Sequence, residues 1–230
     1  MQIVYSRFGN GVERLIAGMP GKITGSVRIV AFLLGLLGLV WTNNAYSASK
    51  SILVLGDSLS AEYGLARGSG WVALLQQRLK HENFDYNIIN ASISGETTSG
   101  GNTRLPALLQ QQPDILILEL GANDALRGLQ LSATQTNLRS MIDATHKAKA
   151  KVLLVGMRIP PNYGRDYTEK FFSLYGTLAK QTKVSLVPFL LADVPDTPTM
   201  FQADRIHPTA QAHPIILKNI WSGLSPLLTK

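Results

Sequence analysis

The chain of 230 residues contains no cysteine. Disulfides, cysteine-ligated metals, a cysteine nucleophile and a lipid-bearing cysteine are thereby excluded. Charge is sparse as well, at 16% of residues. Of the 22 Lys and Arg and 15 Asp and Glu, residues 1–47 hold Arg7, Arg14, Lys22, Arg28 and Glu13, which leaves 18 and 14 in the remainder. No dense basic run occurs there. Lys147, Lys149 and Lys151 come nearest and read as a solvated helix end, so nucleic acid is not an expected partner. Long apolar runs are missing too. The run from Ile29 to Trp41 falls short of the roughly 20 residues that cross a bilayer comfortably. There is no internal repeat and no low-complexity linker. What is present, 45% hydrophobic residues in a chain of this length, suits one sizeable globular domain.

Lys22 and Arg28 precede the apolar run, and Asn43, Asn44, Ala45, Tyr46, Ser47 and Ala48 follow it. Basic, apolar and small-residue segments in that order are the layout of a secretory signal peptide. Ala45-Tyr46-Ser47 fits the small-x-small rule and places cleavage near Ser47 and Ala48. The stretch before Arg28 is long for a leader, so either Met19 is the start or residues 1–28 are an N-terminal extension. Residues 1–47 are read as signal peptide and 48–230 as the working domain, periplasmic or secreted, with no stable membrane insertion after cleavage. The alternative is an uncleaved anchor.

Beyond residue 48, apolar β-rich runs alternate with helical patterns. Strands are expected at 52–55, 86–90, 115–120, 151–157 and 184–187. Helices are expected at 71–79, at 105–111, from a cap at Ser132 or Thr134 to about 148, at 168–181, and at 209–228 with a kink near Pro214. Pro113 stops the second of these. The run at 115–120 is apolar apart from Glu119, as in a strand covered on both faces. Such alternation implies right-handed βαβ units. The predicted class is α/β: a three-layer α/β/α, flavodoxin-like domain with a five-stranded parallel sheet.

Four motifs fall at the ends of these elements. Gly56-Asp57-Ser58-Leu59 follows the first strand, and open parallel sheets keep their chemistry at that edge. Gly56 would turn the chain off the strand and leave Ser58 near a helix start, whose free N–H groups favour developing negative charge. Asn90-Ala91-Ser92-Ile93-Ser94-Gly95 follows the second strand, where Gly95 can offer an unobstructed N–H to an oxyanion. Leu120-Gly121-Ala122-Asn123-Asp124 follows the third, and the Asn123 amide brings two more donors. Asp204-Arg205-Ile206-His207-Pro208 spaces a carboxylate and an imidazole so that they can meet across a turn. The carboxylate would orient the histidine, and the histidine would take the proton of Ser58. Singly, each motif has a plainer reading: a helix cap, a turn glycine, an Asn-Asp turn, a structural histidine. A metal site of Asp204, His207 and His213 is another alternative. Zinc usually needs three or four convergent ligands, no fuller cluster is evident, and neither metal nor cofactor is expected.

In this order and spacing the motifs resemble those of the SGNH (GDSL) hydrolase family, over roughly residues 50–228. The block 55–61, the block 90–95, Arg104-Leu105-Pro106-Ala107-Leu108-Leu109 and Pro161-Asn162-Tyr163-Gly164 are most similar to its subgroup of periplasmic multifunctional acyl-CoA thioesterases, lysophospholipases and arylesterases. The resemblance implies Ser58 as nucleophile, His207 as general base and Asp204 as its orienting partner. It implies an oxyanion hole from Ser58 N–H, Gly95 and Asn123, and an open groove tolerant of varied acyl esters and thioesters. Arg205 stands where the subgroup usually has glycine, Thr209 where it often has asparagine, and Ala122 where a second glycine is common. These departures bear on substrate preference more than on reaction class.

An acyl chain needs an apolar trough. The loop 125–129 and the segment 157–163 are the candidates, with Leu126, Met157, Ile159 and Pro160 as substrate-binding residues. The expected protein is a monomeric serine hydrolase of small-molecule or lipid-like esters. A carbohydrate O-deacetylase, which would show a polar, aromatic-lined cleft, and an inactive binding protein on the same scaffold are the alternatives. Glu119 is expected at an edge or paired with a base such as Arg158. His81 and His146 close helices, Trp71 belongs to the core, and His213 is expected at the surface.

Overall fold

Ile52, Leu53, Val54 and Leu55 have no solvent exposure, and the run around them forms strand β1, Lys50–Gly56. The computed structural model describes residues 49–230; the expected signal segment and its cleavage point lie outside the described residues. Four more short runs complete the sheet: β2 Tyr86–Asn90, β3 Ile115–Glu119, β4 Lys151–Val155 and β5 Ser185–Val187. All pairings are parallel, in the order β2-β1-β3-β4-β5. Every residue of β3 is buried, which is why its sequence is almost continuously apolar.

Helices cover both faces of the sheet. Helix α1, Trp71–His81, packs on α6, His213–Leu224. In the other layer α4, Leu131–Lys147, packs against α2, Thr98–Leu109, and α5, Arg165–Thr182. A short α3, Ala122–Leu126, follows β3. The result is the three-layer α/β/α arrangement expected from the alternation of runs.

Several local expectations are corrected. Helix α2 starts at Thr98 rather than 105, with the Thr97 hydroxyl accepting the Gly100 N–H at 3.2 Å. Gly100 and Gly101 in its first turn dilute the apolar period. Helix α4 starts at Leu131 and is preceded by Gln130, so neither Ser132 nor Thr134 caps it. The terminal helix is α6 flanked by single 3₁₀ turns at Ala210–Ala212 and Ser225–Leu227. Pro214 lies in its first turn, where a missing N–H costs nothing, and so starts the helix rather than kinking it. His213 is not at the surface. It is buried, and its Nδ1 accepts the Trp71 N–H at 2.9 Å, tying the start of α1 to the start of α6. Trp71 is fully buried, as expected, and His81 and His146 lie in last helical turns. Glu119 is at no edge. It ends the central strand β3, directly opposite Gly56. Arg158 lies instead over the Phe172 ring, 3.5 Å from guanidinium carbon to centroid.

Candidate active site

The strand order reverses direction between β1 and β3, and crevices for ligands open at such points, outside the carboxyl ends of the strands. Ser58, Gly95 and Asn123 lie just past the ends of β1, β2 and β3. The pairing of β1 and β2 continues past the strands, with Ile93 N–H donating to Gly56 O at 3.1 Å. The Asn90 amide donates to Ser60 O at 2.8 Å. These bonds hold the Gly95 loop beside the serine.

No helix starts at Ser58. Residues 58–64 form turns, and Asp57 Oδ1 accepts the Leu59 N–H at 3.0 Å. Gly56 has no left-handed φ to explain it. Its role is close approach, because a Cβ there would come within 2.6 Å of Glu119 Oε2. The N–H groups of Ser58 and Gly95 donate to no acceptor among the described residues. Gly95 itself has φ +79°, a backbone that favours glycine. Two N–H groups past adjacent strand ends are thus without an acceptor among the described residues, and the expected helix dipole is not beside them.

The histidine arrives from the long loop after β5. A bridge between Phe201 and Pro208 closes this loop, and Gln202 N–H donates to His207 O at 2.8 Å. At its tip Asp204 Oδ1 accepts the N–H groups of Ile206 and His207, both at 3.0 Å. His207 Nδ1 lies 2.6 Å from Asp204 Oδ2, and its Nε2 lies 2.9 Å from Ser58 Oγ. Ser58 and the Asp204–His207 pair, 149 residues apart along the chain from serine to histidine, therefore form one hydrogen-bonded line. Slight burial works against the Asp204 charge, but the His207 and Ile206 contacts outweigh it and hold the pKa down to about 2. An ionised Asp204 accepts Nδ1–H and leaves Nε2 as the proton acceptor toward Ser58. Arg205, between them, has φ +60°. That left-handed backbone explains why glycine suits this position.

Asn123 is brought to the same place. Its Nδ2 donates to Asp57 Oδ2 and to Glu96 O, both at 3.0 Å. Behind it, Asp124 accepts the Thr98 N–H at 2.8 Å and the Thr98 hydroxyl at 2.5 Å. The buried Glu119 accepts from Ser60 Oγ at 2.7 Å and from Asp57 N–H at 3.3 Å. Burial, then the neighbouring Asp57, pushes its carboxyl well above the usual range, against the pull of the Ser60 and Asp57 donors. Burial also raises Asp57, to about 6, against the lowering influence of Leu59 N–H, His207 and Asn123. Sequence reasoning gave none of these carboxyls a place at the site. The signal was Glu119 itself, an acid inside an apolar strand.

Sequence reasoning also missed Tyr63. Its ring is half exposed and lies 4.4 Å from the His207 ring, at 40°. Gln202 bonds the Tyr63 carbonyl at 2.9 Å and so joins its loop to the histidine loop. No pattern in the sequence marks either residue.

A trough of about 230 Å³ opens beside the line of side chains. Leu126, Met157, Ile159 and Pro160 all line it, and Leu59, Phe189, Leu191 and Ile206 join them. Ala122 and Arg205, two of the departures noted above, also line it.

The comparisons agree with this geometry. A model of the GDSL-like lipase/acylhydrolase family matches residues 54–215. Esterase TesA of Pseudomonas aeruginosa is 50% identical over 79% of this chain and 91% of its own. Thioesterase 1/protease 1/lysophospholipase L1 of Escherichia coli K12 is 42% identical over 79% of this chain and 86% of its own. A crystal structure of TesA superimposes with a TM-score of 0.76 at 50% identity, covering 78% of this chain and all of that one. With a serine, a histidine and a carboxylate in one hydrogen-bonded line at the switch point of such a fold, the chain belongs to the GDSL-like lipase/acylhydrolase family and is an ester-hydrolysing enzyme.

Proposed function

We propose that this enzyme hydrolyses carboxylic esters and thioesters with lipid-like acyl chains, through an acyl-enzyme formed on Ser58. The observation that carries the proposal is the unbroken line from Asp204 through His207 to Ser58 Oγ. As Ser58 Oγ bonds to the acyl carbon, His207 Nε2 takes its proton. The carbonyl oxygen becomes an oxyanion facing the N–H groups of Ser58 and Gly95 and the Asn123 amide. His207 returns the proton to the leaving alkoxide or thiolate as the acyl–oxygen or acyl–sulfur bond breaks. Water, deprotonated by His207, then attacks the acyl-serine; the acyl–Oγ bond breaks, His207 returns the proton to Ser58 Oγ, and the carboxylic acid leaves. The acyl chain occupies the trough along Leu126, Met157, Ile159 and Pro160.

The relatives named above lend this reading their substrate classes. The P. aeruginosa protein is an esterase, and the E. coli one a thioesterase and lysophospholipase. The enzyme would act as a monomer in the periplasm or medium, with residues 1–47 removed as a signal. No helix among the described residues is long and apolar enough to cross a membrane. N-terminal sequencing of exported protein checks this, and an intact Met1 or Met19 would refute cleavage.

The test of mechanism is a pair of variants assayed on p-nitrophenyl butyrate and an acyl-CoA. Ser58→Ala should abolish both activities and leave the melting temperature unchanged. Asn123→Ala should lower kcat by about 10²-fold, the usual loss for one oxyanion donor. Wild-type turnover by Ser58→Ala would remove Ser58 as the nucleophile.

A further inference from the structure

The Asn123 amide has two ends, and only the NH₂ end can serve an oxyanion. A half-turn of the side-chain amide would present oxygen instead, at little steric cost. What stops that turn is the pair of groups at Nδ2: the Asp57 carboxylate and the Glu96 carbonyl, both at 3.0 Å. Between them they take both amide hydrogens; the Glu96 carbonyl accepts at any pH, and its neutral bond is the weaker one, the one an oxyanion would replace. A hydrogen bond to a carboxylate is roughly twice as strong as one between neutral groups, so Asp57 dominates the pair. Its two oxygens divide their work. Oδ1 holds the Leu59 N–H and with it the turn that carries Ser58, while Oδ2 holds Asn123. One carboxylate therefore spans the end of β1 and the start of α3, joining nucleophile to amide.

Asp57 is itself held. Its N–H donates to Glu119 Oε2, which also takes the Ser60 hydroxyl. Glu119, fully buried, has its pKa pushed well above the usual carboxyl range. Asp57 is pushed up less, to about 6. Of the two, Asp57 is the more readily ionised, and its carboxylate is the one that meets the amide.

We propose that Asp57 is a positioning residue that fixes the Asn123 amide with its NH₂ end toward the oxyanion and so sets kcat. The proposal rests on the oxyanion role given to Asn123 above. It can be separated from a simple charge effect. Removing a negative charge beside a developing oxyanion would by Coulomb's law speed the reaction. Loss of amide orientation slows it.

The experiment is a double-mutant cycle on p-nitrophenyl butyrate at pH 8, with Asp57→Asn, Asn123→Ala and the double variant. In Asp57→Asn the new amide can pair with either end of Asn123, so the flip is no longer barred. Its kcat should fall by about 10-fold or more, part of the loss typical of a whole donor, with KM within threefold of wild type. The double variant should be no slower than Asn123→Ala alone, within twofold, because Asp57 acts through the amide. A kcat for Asp57→Asn at or above wild type, or losses that multiply in the double variant, would overturn the inference while leaving Asn123 in the oxyanion hole. An unimpaired Asn123→Ala would overturn the oxyanion reading, and this inference with it. Should Asp57→Asn not fold, Asp57→Ser keeps an acceptor for Leu59 N–H without the carboxylate and enters the same cycle.

Discussion

His213 shows how much one buried side chain can decide. Its Nδ1 accepts the Trp71 N–H, so Nε2 carries the proton, and that buried Nε2–H has no partner among the described residues. Burial lowers its pKa to about 4, with Glu62 pulling weakly the other way. The fold therefore holds the imidazole neutral while the unfolded chain titrates near 6.5. The stability it contributes is fully present above pH 6.5 and is lost as pH falls toward 4, because the unfolded chain gains protons first. Asp57 and Glu119 have raised values and act in the opposite sense: their contribution is present at low pH and lost as pH rises, for Asp57 through about 6. A stability profile of the wild type alone would mix the two. The difference between wild type and His213→Asn isolates one, since the Asn carbonyl can replace Nδ1 as acceptor and does not titrate. Urea unfolding should show His213→Asn losing less stability than wild type between pH 7.5 and 5, and equal losses would place the titration elsewhere. The sequence offered His213 only as an alternative metal ligand or a surface residue, for its partner is a backbone N–H far along the chain. That Ser58, Asp204 and His207 come together was legible because the chemistry proposed for them needs those side-chain types in short local motifs. Arg205 was legible as a departure, and its φ of +60° supplies the physical reason.

At the scale of elements, what could be read depended on whether the apolar period was carried by the element itself. Strands β1 and β3 are buried throughout their apolar runs, so their sequences announce them. Helix α2 does not, because Thr98, Gly100, Gly101 and Pro106 break its pattern. It forms on tertiary support at its first turn. Asp124, at the start of α3, accepts both the N–H and the hydroxyl of Thr98, and lies 3.4 Å from the Thr134 hydroxyl on α4. Three helices thus meet at one buried carboxylate. Asp124→Ala would leave the Thr98 donors buried without an acceptor, a loss of about 3 kcal/mol. Denaturant unfolding should register that loss. Because Asn123 precedes it on α3, kcat should fall as well, beyond what the share of folded protein explains. A stability within about 0.5 kcal/mol of wild type would show that α2 needs no such anchor.

At the scale of the whole molecule, the apolar trough proposed for the acyl chain is the feature no single motif contains. Leu59 comes from the turn after β1, Leu126 from α3, Met157, Ile159 and Pro160 from the loop after β4, and Phe189 and Leu191 from the loop after β5. Parallel strands deliver all these loops to one edge, which is why a sequence pattern of alternating strands and helices already predicted where the trough would lie. Its depth could not be read, since it depends on how side chains from four loops meet. Ile159 is buried in the wall, so a larger side chain there must take up space meant for the chain of the substrate. Each methylene denied burial forfeits about 0.8 kcal/mol, close to fourfold in kcat/KM. Ile159→Trp, if it displaces two methylenes, should lower kcat/KM for p-nitrophenyl decanoate by about 15-fold on the same scale. Hydrolysis of p-nitrophenyl acetate, which does not reach that wall, should stay within twofold. The ratio of the two rates is the measurement. A parallel fall in both would mean that the substitution disturbs the catalytic line, and an unchanged ratio would mean that the acyl chain leaves the crevice by another route.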